Sequence, residues 1–164
     1  MNDKLILPMR KRLSHTPPVS VSQYTVHSFY FITICVDRNS YGFLNLINDG
    51  PLIKNGVAIA ILDAIEHRRN IGKWFPKVSV VMPDHIHIIT SFAENVIMEK
   101  SIREFKRYIS NRFNVVWQRG FFDHRLRDEK EIAEKFHYIE MNPISKGLCS
   151  TVEEWPNIRV WDIN

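Results

Sequence analysis

The sequence predicts an α+β fold in which an antiparallel sheet forms in the order strand, helix, strand, strand, helix, strand, followed by one more helix. Three observations support this order. Residues 29–36 are aromatic and β-branched throughout, as in a buried strand. The stretches 55–69 and 97–113 repeat apolar residues every three or four positions, as amphipathic helices do. Between them, Pro83-Asp84 divides two short apolar runs, as the turn of a hairpin would.

The first helix and the hairpin follow the first strand after a turn-rich stretch. The helix at 55–69 has one apolar stripe, which faces the core of the predicted fold. That stripe consists of Val57, Ile61, Ala64 and Ile65. Residues 77–82 and 85–90 then form the two strands of the hairpin.

The second helix, at 97–113, has an apolar side and a basic side, which predicts that one packs on the sheet and the other meets solvent. The apolar side consists of Met98, Ile102, Phe105, Ile109 and Phe113. The last strand of the pattern lies within residues 115–126 and has an irregular entry at Gly120.

A third helix begins near Asp128, because Asp128 and Glu131 have the spacing of a capping box. It is expected to end near Asn142, because Pro143 disfavours helical geometry in the residue before it. The complete order of elements is that of the ferredoxin-like fold. Since that fold serves many functions, function has to be argued from particular residues.

The chain has the length and composition of one globular domain, with 164 residues of which 45% are hydrophobic. No run approaches the roughly 18 apolar residues of a membrane span, and residues 1–12 lack the pattern of a secretory signal. Two cysteines without a CxxC motif suit a reducing compartment, so a cytoplasmic protein is expected. We predict a basic N-terminal arm at 1–26, a main domain at 27–150, and a C-terminal tail at 151–164 that packs on the domain.

Positive charge is concentrated in two places within a chain of net charge +4. The first includes Arg10, Lys11 and Arg12 in the N-terminal arm. The second includes Arg103, Lys106 and Arg107 on the second helix. Such clusters suit a polyanionic partner such as DNA, although either cluster by itself is also what a solvated surface looks like.

His85 and His87 form a His-x-His pair on the second strand of the hairpin. Residues two apart on a strand point to the same face, so the imidazoles leave the sheet together while Ile86 and Ile88 enter a core on the other side. Two aligned imidazoles make two corners of a divalent-metal site. The alternative is a pair of histidines that are exposed or hydrogen-bonded within a core.

Tyr138 and Asn142 lie four residues apart on the third helix and are therefore neighbours on its surface. Ile132, Phe136 and Ile139 form the narrow packing face of this helix, and Tyr138 lies roughly 120–130° away from its centre. The helix thus offers a phenol and a neutral oxygen ligand together, turned away from the packing face. A surface or hydrogen-bonded tyrosine is the alternative.

Five short segments together resemble the IS200-like Y1 transposases, and among them most closely the REP-associated tyrosine transposases, which are single-domain HUH nucleases. These segments are VMPDHIH at 81–87, VWQ at 116–118, FDHRLR at 122–127, YIEMNP at 138–143 and KGL at 146–148. The resemblance covers most of residues 10–158.

The resemblance implies a ferredoxin-like core whose sheet carries His85 and His87 as metal ligands. It also implies that the last helix carries Tyr138 as the nucleophile and Asn142 as the residue that completes the metal site. The implied activity is cleavage and rejoining of single-stranded DNA beside a hairpin through a 5′-phosphotyrosine, with Mg²⁺ or Mn²⁺. Members of this group work as monomers or homodimers.

Other functions built on His-x-His fit the sequence less well. A histidine-triad nucleotide hydrolase needs a third histidine at position 89, where this chain has Ile89. A two-histidine phosphoesterase needs a repeated His-x-Thr or His-x-Ser pair, which the sequence lacks. The stronger alternative is a domesticated DNA-binding protein that recognises a hairpin without cutting it. Its binding would survive metal chelation and would form no covalent protein–DNA species.

Overall fold

The protein is described by a computed structural model that covers residues 28–42 and 46–161. The predicted N-terminal arm, with Arg10, Lys11 and Arg12, lies outside the described residues. Within them, no helix combines the length and the apolar character needed to cross a membrane.

A five-stranded sheet organises the fold. Its strands are β1 (Phe29–Cys35), β2 (Trp74–Val81), β3 (His85–Phe92), β4 (Phe122–Leu126) and β5 (Ile158–Val160). They lie in the order β4-β1-β3-β2-β5, and every neighbouring pair is antiparallel. The α+β class and the antiparallel sheet predicted from the sequence are therefore confirmed.

Two short helices and three long ones connect the strands. The short helices are α1 (Arg38–Tyr41) and α2 (Leu46–Asp49), and the long ones are α3 (Val57–Asn70), α4 (Met98–Phe113) and α5 (Glu129–Ser145). Single 3₁₀ turns occur at Pro51–Ile53 and Val152–Glu154. The sequence predicts α3, α4 and α5 but not α1 and α2, which are too short to show a helical period.

The sheet separates two apolar cores. On one face, Ile86 and Ile88 pack with α3 and α4, where Ile61 and Phe105 are fully buried. On the other face, Ile89 packs with Ile139 of α5. Because side chains alternate along a strand, His85 and His87 share a face with Ile89 and lie on the α5 side of the sheet.

The predicted end of the third helix near Asn142 is wrong, because α5 continues through Pro143 to Ser145. A proline this close to the end of a helix removes only one backbone hydrogen bond. Its ring is buried, and the helix closes beyond it through hydrogen bonds from Lys146 N–H to the Asn142 carbonyl and from Leu148 N–H to the Pro143 carbonyl. Packing of the proline ring therefore outweighs its local preference.

Two further segments differ from the prediction. The last strand of the pattern begins at Phe122, and residues 115–121 form a loop that the Lys106 ammonium holds by donating to the carbonyls of Gln118 and Gly120, at 2.7 and 2.8 Å. The predicted tail at 151–164 contains β5, which adds a fifth strand beside β2. A three-residue strand is too short for its alternation to be visible in sequence.

Gly50 lies where the chain passes directly against the β2–β3 turn, so we expect Gly50→Ala to destabilise the fold. An added Cβ would lie 2.1 Å from the Pro83 carbonyl oxygen and 2.9 Å from that of Leu46, and backbone atoms cannot yield cheaply. Overpacking of this kind costs about 1–3 kcal/mol. Thermal unfolding should show a midpoint lower by about 3–10 °C.

Gly72→Ala is the matched control, since an added Cβ there meets nothing within 4 Å and only the positive φ of 67° resists it. Its midpoint should fall less than that of Gly50→Ala. Equal losses for the two variants would show that close approach to Pro83 is not the reason for glycine at position 50.

Candidate active site

His85 and His87 stand side by side on β3, with their ring centroids 4.6 Å apart. His87 is buried, whereas His85 is only partly covered. The spacing follows from the strand itself, because residues two apart on one face lie within side-chain contact. The two imidazoles therefore form a compact pair with one buried and one more accessible member.

A hydrogen-bonded chain fixes the orientation of His85. Its Nδ1 lies 2.7 Å from Asp84 Oδ1, and the Arg38 guanidinium donates to Asp84 Oδ2 at 2.8 Å. Burial by itself would raise the pKa of Asp84, but the hydrogen bonds and charges of His85 and Arg38 outweigh it and hold the pKa below its usual value. The carboxylate is thus ionised and accepts, so His85 Nδ1 carries the proton.

The turn that carries Asp84 is itself held by backbone hydrogen bonds. Val36 N–H donates to the Asp84 carbonyl at 2.9 Å, and Met82 N–H donates to the His85 carbonyl at 2.8 Å. Leu52 N–H donates to the Pro83 carbonyl at 3.1 Å. The start of β3 is therefore positioned from three sides, which keeps the Asp84–His85 pair in a fixed place.

His87 is held by β1, its neighbour in the sheet. Its Nδ1 lies 2.8 Å from the Thr33 hydroxyl oxygen, and its ring stacks on Phe31 with the centroids 5.1 Å apart. Burial, reinforced by the nearby charges of His85, Lys135 and Lys146, lowers the pKa of His87 well below its ordinary value. His87 is thus neutral at physiological pH, which is the form that binds metals.

Tyr138 brings its phenol ring against this pair from α5. Its centroid lies 5.5 Å from that of His87 and 5.9 Å from that of Phe31, both in edge-to-face geometry. The side chain is nevertheless 44% exposed. The phenol therefore stands at the mouth of the site, supported by two rings and open to a substrate.

Asn142, one turn further along α5, is buried, and its Oδ1 is the one buried side-chain oxygen or nitrogen among the described residues without a hydrogen-bond partner. The prediction that Asn142 is turned away from the packing face of its helix is wrong, because the sheet covers a wider arc of α5 than the apolar stripe, whereas Tyr138 is 44% exposed. Asn142 follows Ile139 by three residues and so lies on the covered side with it.

Lys135 on α5 and Lys146, the residue directly after its end, bracket the site. Lys135 precedes Tyr138 by one turn, and Lys146 follows Asn142 by one turn, so all four residues line one side of the helix. Both lysine charges act on His87. The site therefore has a positive border along α5, which favours an anionic ligand.

The predicted DNA-binding residues of α4 do not share this face. Arg103 and Arg107 are exposed on a helix that packs on the opposite side of the sheet from His87. Lys106 is engaged with two loop carbonyls, and burial lowers its pKa. A role of these three residues in binding DNA stays a prediction.

Several residues surround the histidines beyond those that the sequence predicts as ligands. The sequence favours Asp84 as a turn residue over a partner of the site, and the structure gives it both places, because it lies in the turn before β3 and contacts His85 Nδ1. Thr33 and Phe31 gave no such signal, since only the register of β1 against β3 brings Thr33 opposite His87. Lys135 is one of several lysines on α5, and the sequence does not show that it, rather than the others, lies beside the Tyr138 ring.

The donors at this site fit a divalent metal ion. They are two imidazoles and the amide oxygen of Asn142, which has no protein partner. Across the described ranges there is no cluster of three His, Cys, Asp or Glu side chains. A ligand set of two histidines and a neutral oxygen binds the ion incompletely, so water or substrate oxygens would have to complete its coordination.

For the metal-dependent DNA cleavage that the resemblance implies, we expect Asp84→Asn to weaken activity by about 10–100-fold, the usual cost of losing the partner that orients a ligating histidine. Cleavage of a labelled oligonucleotide across a Mn²⁺ titration measures this. Asp37→Asn is the matched control, because Asp37 caps α1 with its side chain and has no contact with the histidines. If Asp84→Asn titrates with Mn²⁺ as the unaltered protein does, the orienting role is wrong.

Similarity searches find named relatives. A Haemophilus influenzae protein named "Putative REP-associated tyrosine transposase" is 28% identical over 152 residues, which cover 81% of this chain and 80% of the relative. The REP-associated tyrosine transposase of Escherichia coli K12 is 30% identical over 80 residues, covering 47% of this chain and 48% of the relative. No protein-family model matches.

Among solved structures, a REP-associated tyrosine transposase bound to a REP hairpin aligns with a TM-score of 0.64 and 23% identity. The alignment covers 81% of this chain and 76% of that chain. The fold predicted from the sequence is thus the fold of a solved protein.

Proposed function

We propose that this protein cleaves and rejoins single-stranded DNA next to hairpins through a covalent bond to Tyr138. The proposal follows from the relationship to the REP-associated tyrosine transposases that the sequence predicts. The observation that carries the proposal is the position of the Tyr138 ring, half exposed and 5.5 Å from the centre of the buried His87 ring. The proposal includes the cytoplasmic location that the sequence predicts.

His85, His87 and Asn142 would hold the Mg²⁺ or Mn²⁺ ion. Since the Nδ1 atoms of both histidines are engaged by Asp84 and Thr33, coordination falls to their Nε2 atoms. A bound divalent ion would polarise the scissile phosphate and stabilise the charge that develops on it. The unpartnered Oδ1 of Asn142 supports this assignment, because a buried carbonyl without a partner is costly unless a ligand uses it.

Tyr138 supplies the nucleophile. Its phenol gives up its proton to solvent, and the phenol oxygen forms a bond to phosphorus while the bond from phosphorus to the 3′ oxygen breaks. The DNA then has a free 3′-hydroxyl, which takes up a proton, and the phosphorylated 5′ end stays on Tyr138. Because the phosphoryl bond is kept, a second 3′-hydroxyl can attack the phosphotyrosine and rejoin a strand without ATP.

Lys135 and Lys146 would hold the strand along α5. A phosphate chain attracted by these charges lies across the exposed phenol, and the affinity should fall as salt rises. The hairpin next to the cleavage position is proposed from the relatives, one of which was solved with a REP hairpin.

Covalent capture tests the proposal. The protein is incubated with a pool of end-labelled DNA hairpins whose single-stranded flanks are randomised, so that no target sequence has to be assumed. With Mn²⁺ or Mg²⁺ we expect a species that survives denaturation and whose modified peptide contains Tyr138. With a chelator, or with a fully duplex pool, no such species should form.

Binding of the hairpin pool, measured in the same samples, distinguishes the two functions. If the protein binds hairpins equally well with and without chelator and forms no adduct with any divalent ion, the nuclease proposal fails. The protein is then a hairpin-binding module.

A further inference from the structure

Phe122 is a large apolar side chain that is 51% exposed on the same face of the sheet as the histidines. In the pairing of β1 with β4, Phe122 lies opposite Thr33, and in the pairing of β1 with β3 the same Thr33 lies opposite His87. Directly paired residues point to the same side. Phe122 therefore stands on the catalytic face, although it belongs to the edge strand.

Phe31 joins Phe122 to the candidate active site. The Phe31 ring is almost completely covered, and three groups surround it. The Phe122 and Tyr138 rings meet it edge-on, with centroids at 6.5 and 5.9 Å, and the Lys135 ammonium lies 5.1 Å from its centre. Phe122, Tyr138 and Lys135 thus form one cluster around the Phe31 ring.

The exposed groups of this cluster are an aromatic ring and a positive charge, which bind different parts of a nucleotide. Phe122 offers an exposed aromatic ring, and the Lys135 ammonium lies over the Phe31 and Tyr138 rings, without an ion pair to any carboxylate of the described residues. An unpaired base stacks on an aromatic ring, and a phosphate pairs with an ammonium group. A nucleotide of a single strand presents both groups together.

We propose that Phe122 and Lys135 form a subsite for a nucleotide next to the scissile phosphate, with its base on Phe122 and its phosphate against Lys135. The subsite rests on the proposed function for its place beside the scissile phosphate. Because stacking accepts any base, it positions the strand and does not select a sequence. Duplex DNA cannot use it, since its bases are already stacked, so the subsite also favours single strands.

The test measures binding of the full chain to fluorescein-labelled oligo-dT of 20 nucleotides by anisotropy, with chelator present, so that no chemistry is required. Phe122→Ala should weaken binding roughly 5- to 100-fold, and Phe122→Trp should restore it. The slope of log affinity against log salt concentration is negative, and Lys135→Gln should make it less negative by about 0.7, the share of one phosphate contact on single strands.

Two variants act as matched controls. Tyr108→Ala removes a similarly exposed aromatic residue from α4, on the opposite side of the sheet. Lys130→Gln removes an exposed lysine of α5 that pairs with Glu134. Both should bind oligo-dT as the unaltered protein does.

An oligomer of 20 abasic sites separates stacking from loss of structure. Phe122→Ala and the unaltered protein should bind it equally, since it has phosphates but no bases. The proposal is overturned if Phe122→Ala binds oligo-dT as the unaltered protein does, or if it loses as much affinity for the abasic oligomer as for oligo-dT. It is also overturned if Tyr108→Ala weakens binding of oligo-dT as much as Phe122→Ala does. If the subsite is found but Tyr138 forms no adduct, the nuclease function fails and the strand-binding site stands.

Discussion

Tyr138→Phe should leave no detectable cleavage and no covalent protein–DNA species, a loss of at least about 10,000-fold, because no other group replaces a missing nucleophile. The change removes one oxygen atom and keeps the ring that packs edge-on against His87 and Phe31. Folding and DNA binding should therefore stay unchanged. Gel separation under denaturing conditions, with end-labelled hairpin DNA and Mn²⁺, measures both products.

Tyr108→Phe is the control for this substitution. Tyr108 is as exposed as Tyr138, but it lies on α4, and its hydroxyl accepts only a long hydrogen bond from Arg112 at 3.3 Å. Its loss should change nothing in the assay. An adduct of normal yield in Tyr138→Phe would assign the nucleophile elsewhere and would remove the central step of the proposed function.

Local patterns were sufficient to predict most of this fold. The two faces of β3 follow from alternation alone, since His85 and His87 leave the sheet on one side while Ile86 and Ile88 fill the core on the other. Pro143 shows the limit, because a local preference gave the wrong helix end where burial of the proline ring decides.

The surroundings of the site depend on pairings between distant segments. Thr33 meets His87 across 54 positions, and Arg38 meets Asp84 across 46. One sequence without tertiary information has no means of choosing such partners. For the same reason the sequence does not show how much of the surface of α5 the sheet covers. The covered part includes Asn142, which is therefore buried.

Asn142→Leu should make the protein more stable and much less active. The amide oxygen is buried without a partner, which costs about 1–3 kcal/mol, and leucine has the same number and branching of side-chain heavy atoms without that cost. Leucine is also the better helix former. We expect a midpoint of thermal unfolding several degrees higher and metal-dependent cleavage lower by at least about 100-fold, more than for loss of an orienting partner.

Metal binding can be observed separately from activity. A metal that binds only the folded state raises its unfolding midpoint, and the rise grows with the logarithm of the metal concentration above the dissociation constant. Mn²⁺ should therefore raise the midpoint of the unaltered protein and of Asn142→Asp, which keeps an oxygen donor, but should hardly raise that of Asn142→Leu.

The two expected changes of Asn142→Leu have opposite signs, and this is what makes the variant informative. A residue kept for packing alone would lose stability when replaced, and activity would fall with it. A metal ligand that lowers the stability of the fold gives a different result when it is replaced. The protein becomes more stable, because the unpartnered oxygen is removed, while the activity falls. If Asn142→Leu unfolds at a lower temperature and still responds to Mn²⁺, Asn142 is a structural residue, and the metal site is limited to His85 and His87.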